Sequence, residues 1–195
     1  PLSTNLFYIV TVDEQFSAFG VRYSVVDMSL NGGLGGVLSA QKNILLLNTT
    51  SEKLEVVPAA DGQSYWLLTH DEPGNDFYAY RVTSAGIQTT PVISTVGSTQ
   101  ANGAGHMKIN RQFNKLAIGV TFGSKIELLD FDNATGIVSN PISWNTNFSS
   151  PLIYGIEFSP NGNVLYVSNL ERLVQYDLTQ PTGAAIQNSA FQLSA

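Results

Sequence analysis

Apolar residues along the chain fall in short runs rich in aromatic and β-branched side chains, each closed by a turn. The strongest runs are Leu6–Val12, Tyr65–His70, Leu116–Phe122 and Val164–Ser168. Their composition is that of strands with a buried face. A second run follows each and reaches Asp27, Tyr80, Asp130 or Asp177, with Gly33, Gly86, Gly136 or Gly183 six residues later. These four landmarks stand 53, 50 and 47 residues apart. A repeat of about 50 residues is that of a propeller blade with four strands.

The remaining strands fall into the same frame. An inner run precedes the strongest one in three units: Leu54–Val57 before Asp61-Gly62, His106–Ile109 before Arg111–Asn114, and Ile156–Phe158 before Pro160-Asn161-Gly162. The last of these is a strong hairpin turn. An outer run follows the glycine, over Val37–Leu47, Ile87–Val96, Ile137–Trp144 and Ala185–Leu193. The pattern predicts an all-β chain, a β-propeller fragment of about four four-stranded antiparallel blades. The blade units are approximately 1–48, 49–98, 99–147 and 148–195, the first without its inner strand. Helix signals are almost absent. Pro91, Pro141 and Pro151 suit edge strands or loops, where a missing amide is tolerated. Pro1 leads almost at once into a strand, which reads as a chain whose start has been removed.

Four such blades pose a closure problem. A seven-bladed ring at this period needs roughly 340 residues. An open arc leaves a blade face uncovered, so further blades or self-association through unclosed blades are expected.

Composition narrows the function classes. Charged residues make up 12% of the chain, while Asn, Ser and Thr number 16, 19 and 15. These short polar residues favour turns over helix interiors. Nine Lys and Arg against 15 Asp and Glu give a net charge of −6. Scattered basic residues on an acidic chain cannot form the groove that nucleic acid needs, and an anionic membrane surface is disfavoured for the same reason. No apolar stretch is long enough to predict membrane insertion. The absence of cysteine excludes disulfides, thiolate metal sites and cysteine nucleophiles.

Ile156–Ser168 (IEFSPNGNVLYVS) is similar to the repeat of WD40-like and YVTN-type propellers, with Asn161 where the turn usually carries Asp. His106–Val120 is a worn copy of it. Leu6–Asp13 (LFYIVTVD), Val21–Gly35 (VRYSVVDMSLNGGLG), Glu52–Leu54, Tyr65–His70 (YWLLTH), Phe77–Tyr80 (FYAY) and Phe131–Gly136 (FDNATG) resemble the propeller region of large secreted Bacteroidetes proteins associated with gliding motility and type IX secretion. The resemblance implies a secreted or cell-surface location and a propeller with more blades than this chain supplies. It implies no known ligand.

Candidate chemistry gathers on one rim. In a four-stranded blade the loops between the second and third strands, and those leading to the next blade, open on the same face. Asp13, Glu14, His70, Asp71, Glu72 and His106 fall there. They read either as a ligand-binding or weak cation rim or as ordinary solvated loop. His70-Asp71-Glu72 has no nucleophile paired with it, as acid–base catalysis would need. His106, at the start of an inner strand, reads as a partly buried structural histidine. Asp130–Gly136 has the oxygen density of a calcium loop but lacks the glycine and acid at their required positions, so it reads as a turn. Asn31–Gly36 matches no phosphate-binding pattern. Asn48-Thr-Thr50, Asn133-Ala-Thr135 and Asn147-Phe-Ser149 match the glycosylation acceptor pattern. Arg22, Lys125 and Arg172 each precede an aligned Asp by five residues and suggest a repeated strand-end contact.

The leading expectation is a non-catalytic binding or scaffolding module, not an enzyme, without cofactor or metal. Its partners would be a protein or glycan ligand, or other domains of the parent chain. The rival is a propeller hydrolase or lactonase-like enzyme with a metal at the ring axis.

Overall fold

A computed structural model describes residues 3–14, 19–101, 103–120, 123–146, 148 and 152–194. It shows an all-β, partial propeller-like arrangement of roughly four-stranded antiparallel sheets. The first sheet holds β1 (Leu6–Thr11), β2 (Val21–Asp27), β3 (Gly36–Val37) and β4 (Ile44–Leu47). The second holds β5 (Leu54–Pro58), β6 (Tyr65–His70), β7 (Gly74–Thr83), β8 (Gly86–Ile87) and β9 (Val92–Gln100). The third holds β10 (Met107–Ile109), β11 (Lys115–Val120), β12 (Lys125–Asp132) and β13 (Ile137–Asn145). The fourth holds β14 (Gly155–Phe158), β15 (Val164–Ser168), β16 (Leu173–Asp177) and β17 (Phe191–Ser194). Strands pair in chain order, except that β3 and β4 both pair β2, and β8 and β9 both pair β7. Among the described residues β1, the counterpart of β6, forms an edge of the first sheet.

The sheets pack face to face with their neighbours, and the alternation within each strand explains why. In β11, Leu116 and Ile118 point to the second sheet, where together with Met107 of β10 they meet Trp66, Leu68 and Phe77. Ala117 points the other way and joins Ile126, Trp144, Ile156 and Tyr176 against the fourth sheet. Side chains one residue apart lie on opposite faces of a strand, so β11 serves two cores at once. The core between the first two sheets is thinner: Leu67, Tyr80 and Val82 are its buried members, packed against Tyr8, Val10 and Leu46.

Polar contacts fix the sheets to one another at a few points. Trp66 Nε1 donates to the Asn133 carbonyl of the next sheet at 2.8 Å. Gly136, at φ +81°, lies against the Trp66 ring, and a Cβ there would come within 2.9 Å of it. Only glycine satisfies both the backbone and the approach. The buried Glu127 carboxylate on β12 accepts from Ser98 N and Ser98 Oγ of β9 at 2.9 and 2.6 Å.

Three expectations need correction. The outer run of the fourth unit is not one strand: α1 (Gly183–Asn188) precedes β17. Thr182 caps it, its side chain accepting from Ala185 N, and Ile186 is buried against the fourth sheet. Alanines with a threonine cap form a helix where local packing rewards one turn of apolar face. The outer runs of the first two units are likewise interrupted, between β3 and β4 and between β8 and β9. Arg22 and Lys125 share no common contact: Arg22 donates to the Phe19 and Asn43 carbonyls, Lys125 to Ser98 Oγ. The Asp130–Gly136 segment ends β12 and turns, with Asp132 accepting from Ala134 N and Thr135 Oγ1. Asn147, Ser149 and Pro151 lie outside the described residues.

Ile118 is fully buried, whereas Phe7 is 53% exposed. Ile118→Ala is expected to cost about 2–5 kcal/mol in urea unfolding, as large-to-small changes in packed cores do. Phe7→Ala is expected to stay within about 0.5 kcal/mol of the parent.

Candidate functional site

Two groups of ionisable residues stand out, one buried and one open. The buried group centres on Lys53, which follows the crossing from the first sheet to the second and has no exposed surface. Its Nζ donates to the Gly103 and Ala104 carbonyls at 3.0 and 2.8 Å. Glu52 N donates to the Gly103 carbonyl at 3.0 Å. Burial pushes the Lys53 ammonium down to about 8, against the opposing pull of the Glu72 and Glu52 carboxylates. Lys53 therefore clasps the crossing loop before β10 to the start of β5.

His70, at the end of β6, is 1% exposed. Its Nδ1 lies 2.8 Å from the Asp71 carbonyl, and its ring meets Phe77 edge-on at 4.5 Å between centroids. Burial pushes the imidazole down to about 4, and the Lys53 charge acts in the same direction. Asp71 Oδ1 accepts from Asp76 N at 2.9 Å. Burial raises both the Asp71 and Glu72 carboxyls. Asp13 accepts from Glu14 N and Phe19 N at 3.0 and 2.8 Å and so shapes its own loop. The six rim residues are thus divided in space. His70 is a core residue, Asp71 and Glu72 flank it and the Lys53 clasp, Asp13 and Glu14 follow β1, and His106 belongs to a different place.

That place is an open groove of about 450 Å³ along the inner strands, lined by His106, Lys108, Glu157 and Tyr166, with Ile156 and Leu173 as apolar wall. β5, β10 and β14 lie side by side here. His106 is exposed, donates its backbone N–H to the Tyr154 carbonyl at 2.9 Å, and packs beside the Tyr154 ring. Lys108 Nζ sits 3.1 Å from Glu55 Oε2. Burial raises the Glu55 carboxyl; Lys108 offsets this and the Glu157 charge adds to it. Three successive inner strands therefore bring acid, base and acid together.

Glu55, Lys108 and Glu157 were missed among the sequence candidates, although a signal existed. Each is a charged residue inside an otherwise apolar inner strand, and Lys108 and Glu157 hold the same position three residues before their turns. The axial metal of the rival reading does not fit these residues. Among the described residues no three His, Asp or Glu gather closely enough to hold an ion.

No protein-family model and no curated protein matches this chain. Solved structures do. A candidate 6-phosphogluconolactonase of Bacteroides fragilis superposes with a TM-score of 0.60 at 13% identity, over 100% of this chain and 56% of that one. The periplasmic gluconolactonase PpgL of Pseudomonas aeruginosa gives 0.55 at 12%, over 89% and 50%. Kluyveromyces lactis Hsv2 gives 0.53 at 16%, over 91% and 49%. This chain spans about half the length of the structures it matches. At such identities the likeness establishes the fold alone.

These findings correct the family expectation. The likeness in fold to propellers named as gluconolactonases corrects the WD40-like and YVTN-type assignment, and with it the gliding-motility setting drawn from large secreted Bacteroidetes proteins. The expectation of a non-catalytic module that is no enzyme is corrected on the same ground: the matched propellers named for an activity are lactonases, at identities that carry the fold and not the role.

The buried group yields a pH dependence of stability. The folded pKa of His70 lies below its ordinary 6.5, at about 4. Between these values the unfolded chain binds the extra proton, so stability falls as pH drops through this window, by about 3 kcal/mol in all. Lys53 shifts from 10.5 to about 8. The unfolded chain again holds the extra proton in between, so stability gains with rising pH there. Urea unfolding across pH 4–10 should show both slopes, with His70→Gln abolishing the acid one and Lys53→Met the alkaline one. Unchanged slopes in these variants would refute the assignment.

Proposed function

We propose that this chain is part of a propeller hydrolase that opens a lactone, with the inner-strand groove as its site. The observation that carries the reading is the meeting of Glu55, Lys108 and Glu157 from three successive inner strands, with Lys108 held 3.1 Å from Glu55. Support comes from propellers named as lactonases that share the fold over 89–100% of the chain.

The chemistry needs no group beyond these side chains and water. Glu157 accepts a proton from water as the oxygen attacks the lactone carbonyl. The Lys108 ammonium stabilises the oxyanion that forms, the role of a preorganised positive charge. Glu55 fixes that ammonium in place. The ring C–O bond then breaks, and the departing alkoxide takes up the proton that Glu157 accepted, relayed by water or the His106 imidazole at the groove mouth, which returns Glu157 to its carboxylate. The product is the open hydroxy acid, one water heavier than the lactone. Acid–base help of this type contributes about 10²–10⁴-fold.

The test is hydrolysis of glucono-δ-lactone by the purified chain in a pH-stat, against buffer. Glu157→Gln and Lys108→Met should each lower the rate about 10²-fold while circular dichroism and melting stay near those of the parent. A parent rate equal to buffer, or full activity in both variants, would overturn the reading.

A further inference from the structure

The far end of the third and fourth sheets carries a second cavity that the hydrolase reading does not use. His106 precedes β10 and Asn110 follows it. The two therefore stand at opposite ends of one strand, roughly 13 Å apart along extended chain. The cavity holds about 350 Å³, within the range of small-molecule sites. Three turns supply its polar wall: Asn110–Asn114 between β10 and β11, Asn161–Asn163 between β14 and β15, and Gln180 after β16. Leu128, Ile142, Leu178 and Ile186 supply its apolar wall.

The amides divide into a structural set and an open set. Asn110 is spent on its own turn: its Nδ2 donates to Asn114 Oδ1 at 2.9 Å, and its Oδ1 accepts from Asn114 N and Lys115 N at 3.0 Å each. Asn161 Oδ1 accepts from Ser159 Oγ and Asn163 N at 2.7 and 3.1 Å. Gln180 Nε2 donates to Asp177 Oδ2 at 2.8 Å. Those contacts fix the amide planes and leave the opposite ends open. Asn114 Nδ2 and Asn161 Nδ2 remain as donors, Gln180 Oε1 as an acceptor, and the Asn163 side chain as both; none of these bonds to another described residue. Among the described residues no carboxylate lines the cavity, and its single cation, Lys115, is paired with Asp130.

We propose that this cavity binds a neutral sugar or polyol. A hydroxyl both donates and accepts, which suits a ring of amide donors and acceptors with no free charge. The aliphatic wall suits the C–H face of a pyranose, which the hydrophobic effect removes from water. An anionic sugar gains nothing here, since the one ammonium is already neutralised. The inference goes beyond the hydrolase reading and is independent of it, because it concerns other residues at the other end of the sheets.

The experiment is a titration of the ¹⁵N-labelled chain with D-glucose, followed through side-chain amide signals. Glucose carries no ester, so the measurement is blind to hydrolysis and fails or succeeds apart from it. The Asn114, Asn161 and Asn163 side-chain amides should shift and saturate with a millimolar Kd. Asn163→Ala with Gln180→Ala should weaken binding at least about tenfold at an unchanged melting temperature. If that double variant melts early, Gln180→Ala alone should still weaken binding about threefold. Gluconate should bind no tighter than glucose. Shifts that never saturate, equal affinity in the variants, Asn114, Asn161 and Asn163 amides that do not move, or tenfold tighter gluconate binding would each overturn the proposal.

Discussion

Everything in this molecule depends on each sheet burying its faces against its neighbours. The third sheet shows the constraint most fully. Leu116, Ile118, Leu129 and Phe131 serve the core on one side, while Ala117, Ile126, Leu128 and Trp144 serve the core on the other. Burial of each large side chain contributes roughly 1.5–3 kcal/mol. Such a sheet has no free face, so its position is dictated by both neighbours at once. Gly119 shows how tight the fit is: a Cβ there would come within 2.7 Å of Ile153 Cγ2. Where an approach is that close, a small residue is a condition of assembly.

The same packing creates the groove. Stacked sheets must bring their inner strands together, and inner strands are short. β10 has three residues, and Met107 and Ile109 are committed to the core. Lys108, between them, is left to face the opening. Its charge is tolerable because Glu55 from the preceding sheet stands beside it. A half-buried ion pair of this kind is weak as a source of stability. Its consequence is chemical: it holds a cation at a defined point in a groove whose other wall carries Glu157 and Tyr166.

The Lys53 clasp acts between those two levels. Crossing loops leave carbonyl groups that no strand partner can satisfy, and buried carbonyls need donors. Lys53 Nζ supplies donors for Gly103 and Ala104 at the cost of burying an ammonium. The loop so held leads directly to His106. A group that never meets the groove thus bears on how the groove is framed.

The repeat, the all-β character and the inner and middle strands were legible along the chain, because apolar alternation and turn chemistry are local properties. Tyr65–His70 and Val164–Ser168 were read with the bounds that the structure shows. α1 was missed, since Ile186 turns it into a helix only by reaching a core built elsewhere. The rim candidates were chosen by loop position, and position along the chain cannot tell a buried His70 from an exposed His106. Glu55, Lys108 and Glu157 lie about 50 residues apart, and their charges carry no mark of proximity in one dimension. Only the stacking of sheets decides which charges come together, since that depends on which faces the cores have already claimed.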